Sequence, residues 1–121
     1  MDIPSFHDGY FDGLRIGPNK LVNLFLRTQD RKSFILVLEE VDRLKFSEIK
    51  EGNTVFDLVF RSPGELDIAE LYGVDVGAPQ ASDLLRAKRE QGFQLLEINA
   101  SYGAQGLVLF RTWEIRQSNT D

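Results

Sequence analysis

The sequence predicts an α+β single domain, mainly antiparallel β-sheet or two packed sheets built of hairpins, with one clear helix near 79–91. Three observations carry that expectation. Apolar residues alternate at period two in several segments, the links between them have turn composition, and one stretch alone combines helical spacing with helix-end signals. An α/β fold needs a crossover helix for each parallel pair, and one helix cannot supply them.

Taken in order, Phe6–Ile16 is expected to add an edge strand interrupted by glycines. In 20–28 (KLVNLFLRT), Val22, Leu24 and Leu26 share one face, with Asn23 and Arg27 on the other. Residues 33–38 (SFILVL) are apolar on both faces, as in a strand covered on both sides. The short polar link Gln29–Lys32 makes these two a hairpin. Gly52-Asn53 is a turn before strand 54–61 (TVFDLVFR). There Phe56, Leu58 and Phe60 face one way, and Val55, Asp57 and Val59 the other. Ser62-Pro63-Gly64 stops that strand, because proline lacks the N–H and glycine permits the turn.

The helix 79–91 (PQASDLLRAKREQ) opens on Pro79, has Ala81, Leu84, Leu85 and Lys88 at helical spacing, and ends at Gly92. Arg86, Lys88 and Arg89 complement the negative end of its dipole. Strands 93–101 and 107–116 flank the hairpin loop Tyr102–Gly106. Leu107, Leu109 and Trp113 share one parity, Val108 and Phe110 the other. The core candidates are Leu24, Leu26, Leu36, Phe56, Leu58, Leu95 and Leu109.

Composition narrows the function. The 121 residues match one ordinary domain, 1–121. With no cysteine, disulfides, thiolate nucleophiles and cysteine-ligated metals are excluded. The net charge of −5 argues against nucleic acid and anionic membrane surfaces, and no apolar run is long enough for a membrane span. The absence of cysteine and of a visible leader points to the cytoplasm. No phosphate-cradling glycine motif or nucleophile elbow occurs, so no cofactor is expected.

Two segments could carry chemistry. His7, the one histidine, lies with Asp8 and Asp12 in a stretch that repeats Asp-Gly. Asp-Gly is turn chemistry, so the structural reading leads over a polar site or a small enzyme using His7 with Asp8 or Asp12. Residues 65–83 hold five acids (Glu65, Asp67, Glu70, Asp75 and Asp83) and no Lys or Arg. Interleaved Leu71, Tyr72, Val74 and Val76 make this stretch a candidate surface for a basic protein partner, with Glu65, Asp67, Glu70, Tyr72 and Asp75 as contacts and Tyr72 as anchor. A solvated insertion whose Leu and Tyr pack inward is the structural alternative.

The segments FHDGYFDGL (6–14), EGNTVFDL (51–58) and NASYGAQGLVL (99–109) together resemble small uncharacterised bacterial β-rich single-domain proteins, some of them similar to immunity proteins of toxin systems. The resemblance spans most of the chain and brings no catalytic residue with it. It implies an α+β domain in the bacterial cytoplasm that binds and masks a partner. A homo-oligomer joined through sheet edges or apolar sheet faces is the competing class.

Overall fold

A computed structural model describes residues 3–50, 52–103 and 105–118; of Phe56 the backbone alone is described. The elements are β1 (Tyr10–Ile16), β2 (Val22–Arg27), β3 (Ser33–Glu39), β4 (Arg43–Ser47), β5 (Asn53–Arg61), α1 (Glu65–Tyr72), α2 (Pro79–Glu90), β6 (Gln94–Tyr102), β7 (Gln105–Phe110) and β8 (Thr112–Gln117). All eight strands belong to one sheet, in the order β4-β7-β6-β5-β1-β2-β3-β8, and every pairing is antiparallel.

The chain makes this sheet coil. Only Arg111 separates β7 from β8, yet these strands stand near opposite ends of the order. The β3–β8 ladder runs on into the β4–β7 ladder: the Arg111 N–H donates to Glu39 O at 3.1 Å, and the Asp42 N–H to Leu109 O at 2.9 Å. The inner face therefore closes around a core of Phe11, Leu24, Leu26, Leu36, Leu38, Leu96, Ile98, Val108 and Phe110. Phe60 stacks on Trp113 at 5.1 Å and meets Phe110 edge-on, so three strands share one aromatic contact.

Both helices lie outside the sheet. Ile68, Leu95 and Leu109 form a second buried cluster, with Leu71, Tyr72, Leu84, Leu85, Phe93 and Leu107 packed against it. Period two explains how one strand serves both cores: Leu95 points out to the helices while Leu96 and Ile98 point in. Of the core candidates, Leu24, Leu26, Leu36, Leu95 and Leu109 are buried. Leu58 is partly buried against the main core, and the Phe56 side chain lies outside the described residues.

Five expectations change. β1 is an interior strand between β5 and β2, with its register shifted at the glycine bulge around Gly13. β4 was not expected: its five residues offer only Leu44 and Phe46 as an alternating signal. A second helix, α1, occupies the acidic stretch, where Ile68, Leu71 and Tyr72 do recur at helical spacing within a span of eight residues. Strand 107–116 is two strands, and the residue inserted at Arg111 flips the parity. Trp113 therefore joins Val108 and Phe110 in the main core instead of Leu107 and Leu109. In β5 the register shifts on both sides of Val55, which places Val55 in the core beside Leu58 and Phe60.

Candidate functional site

The acidic stretch is built at the corner between β5 and α1. Gly64 precedes the helix in an extended conformation, and the Asp67 carboxylate three residues on accepts the Gly64 N–H at 2.8 Å. Asp67 also accepts two bonds from Arg61, at 2.6 and 2.9 Å. Arg61 continues to Glu97 on β6 through Nε at 3.0 Å and Nη2 at 2.9 Å. One guanidinium thus ties the start of α1 to the sheet. Burial works against the charged form of Asp67, but the bonds from Arg61 and Gly64 outweigh it and hold the carboxyl below its ordinary value. The Arg61 pKa is raised, chiefly by its hydrogen bonds to Asp67.

The far end of α1 is held by a second network. The Tyr72 hydroxyl donates to Asp42 in the β3–β4 link, and Lys88 Nζ on α2 approaches the same carboxylate at 2.9 Å. The Arg43 guanidinium covers the Tyr72 ring at 4.7 Å, and Lys88 stands 4.8 Å from the Phe93 ring. Burial and the bond to Asp42 push the Tyr72 phenol up. Burial would raise Asp42 too, but the bonds from Tyr72 and Lys88 prevail and its carboxyl is lowered. Tyr72 is thereby a clamped structural group.

Each predicted contact can now be placed. Glu65, Asp67, Glu70 and Tyr72 share α1, and Asp75 follows in the link to α2. Glu65 accepts the Gly77 N–H at 2.7 Å, Glu70 pairs with Lys45 at 3.2 Å, and Asp75 is exposed. Arg61 and Lys45 lie outside the stretch in sequence but reach its acids in space, so its charge is partly compensated. Between α1 and the sheet runs a groove of about 350 Å³ whose walls include Leu66, Asp67, Glu70, Glu97 and Lys45.

The other candidate is a turn. His7 and Asp8 are exposed and 3.5 Å apart, Asp8 has φ 61°, and Gly9 N–H closes the turn onto Phe6 O. Asp12 makes a two-bond pair with Arg27 at 2.7 and 2.8 Å. Among the described residues no three His, Cys, Asp or Glu side chains are grouped to hold a metal, and no helix is long and apolar enough to cross a membrane. Sequence reasoning missed Arg61, Asp42, Lys88 and Glu97. The spacing Gly64-x-x-Asp67, an acid at the third helical position, was the one available signal for the first of them.

Compared with protein-family models, curated proteins and solved structures, the chain gives no match that carries an argument.

Proposed function

We propose that this protein is a non-enzymatic binding module that masks a basic protein partner, the task of bacterial immunity-type inhibitors, in the cytoplasm. The observation that carries the reading is the surface made by α1 and the link after it. Leu66 is 71% exposed and Val76 57%, and the same helix and link carry Glu65, Glu70 and Asp75. Large aliphatic side chains left in water beside carboxylates suit a partner that brings cations and an apolar contact of its own. The clamp on Tyr72 moves the anchor from that residue to Leu66 and Val76. Asp67 becomes a support for the surface, because its charge is spent on Arg61 and the helix start.

The test is site-specific photo-crosslinking in the native host. A crosslinker at position 66 should capture a basic protein, and one at the equally bare position 16 should not. With that partner purified, Leu66→Ala should raise the off-rate, whereas Glu70→Gln with Asp75→Asn should lower the on-rate and its salt dependence. Equal capture at both positions, or kinetics unmoved by all three substitutions, would place the interface elsewhere.

A further inference from the structure

The strand order ends on two edges, β4 and β8. A sheet edge offers unpaired N–H and C=O groups to any extended chain, and proteins blunt it with lysine, proline, shortness or a covering helix. β4 is blunted. It has five residues, Arg43 and Lys45 on it are exposed, and α1 reaches it through the Lys45–Glu70 pair. β8 has neither lysine nor proline, and its Thr112, Glu114, Arg116 and Gln117 are exposed. The ladder with β3 fixes which of its backbone groups are spare. The Ser118 N–H donates to Ser33 O at 2.8 Å, and the register pairs Ile35 with Arg116 and Val37 with Glu114. Hydrogen-bonded pairs alternate along an antiparallel ladder, so the backbone groups of Glu114 and Arg116 turn to β3. Those of Trp113, Ile115 and Gln117 turn the other way, where no strand pairs with β8 among the described residues. We infer that β8 joins β8 of a second copy, antiparallel about a two-fold axis at Ile115, so that one sheet continues across two chains.

Three arguments select a second copy as the occupant. The first is hydrogen-bond valence. With Ile115 opposite the second copy's Ile115, Trp113 falls opposite its Gln117, and Gln117 opposite its Trp113. Every spare N–H of one edge then meets a spare C=O of the other. The second is charge. The same register sets Glu114 opposite the second copy's Arg116, and Arg116 opposite its Glu114, at the positions between hydrogen-bonded pairs where side chains stand closest. Glu114 and Arg116 already pair within one chain, so the four groups form a ring of alternating sign. Registers centred on residue 114 or 116 instead put Glu114 against Glu114 or Arg116 against Arg116, and like charges directly opposite are unfavourable. The third is neutrality. Glu114 and Arg116 cancel within β8, whereas the whole chain carries −5, so the edge escapes the repulsion between two acidic proteins. A two-fold axis supplies the required reciprocity by itself. The contact is small and belongs to the weak, transient class, so register and main-chain bonding select the partner.

The experiment is sedimentation equilibrium of the full chain from about 10 μM to about 1 mM, a span chosen for a small contact. The mass should rise from 13.8 kDa towards twice that value. Glu114→Arg alone and Arg116→Glu alone should each weaken self-association by about tenfold or more, because symmetry creates the like-charge contact twice. Mixed in equal amounts, these two variants should associate with each other, since each supplies the charge the other has lost. Gln117→Pro removes an N–H that points away from β3, so it should abolish dimerisation with circular dichroism unchanged. A monomer throughout, charge variants that stay monomeric when mixed, or a dimer indifferent to Gln117→Pro would each overturn the inference.

Discussion

Replacing Asp67 by Asn tests how the helical layer is fastened. The substitution keeps the shape but removes the charge that meets Arg61 and accepts the Gly64 N–H. The Asp67 side chain is 10% exposed and that of Arg61 36%, so solvent screens the pair from one side. Hydrogen bonds to charged groups contribute about 1.5–3 kcal/mol each where water is excluded; screening, and the bonds Arg61 keeps with Glu97, reduce the two to roughly 2 kcal/mol together. An acid near a helix N-terminus adds about 0.5 kcal/mol. The expected loss at pH 7 is therefore about 2–3 kcal/mol. With a urea slope of order 1.3 kcal/mol/M, that is a midpoint shift of about 2 M. The pH dependence follows from the lowered carboxyl of Asp67. A depressed folded-state pKa gives stability that is present above the unfolded value, near 3.9, and is lost as pH falls through the folded value. The parent should therefore approach Asp67→Asn in stability as pH drops below about 4, with the gap constant above about 5. Urea unfolding followed by circular dichroism across pH 3–7 measures this. Equal stabilities at pH 7, or a gap that persists undiminished at pH 3, would refute the reasoning.

Three further outcomes are expected. Leu95→Ala removes a side chain with 0% exposure at the centre of the helix–sheet cluster and should cost about 3–5 kcal/mol in urea unfolding. Gly9→Ala would set a Cβ 2.2 Å from the backbone oxygen of Arg27, which the β2 ladder holds in place; a loss above about 2 kcal/mol should appear in thermal melts. Lys20→Gly should instead stabilise. Asn19 and Lys20 both have positive φ (59° and 61°) in the β1–β2 turn, where Asn-Gly is the favoured pair, so a gain of about 0.5–1 kcal/mol should raise Tm by a few degrees.

The sequence by itself determined the local elements. Val22, Leu24 and Leu26 mark the inner face of β2, and Pro79 and Gly92 bracket α2, because period, proline and glycine act within a few residues of themselves. The acidic stretch was legible as a charged, partly apolar segment for the same reason. Tertiary structure alone decided what those elements face. The flip at Arg111 that sends Trp113 inward comes from the chain continuing past the end of one ladder into another, a long-range pairing with no local signature. The fate of the acids was decided likewise by partners distant in sequence. Glu70 and its partner Lys45 are 25 residues apart, and Tyr72 and Asp42 are 30 apart. Charge read along a chain counts neighbours in order, whereas compensation depends on neighbours in space, at distances where Coulomb attraction and hydrogen bonding act. That is why Tyr72 became a half-buried clamp and Leu66 the exposed side chain.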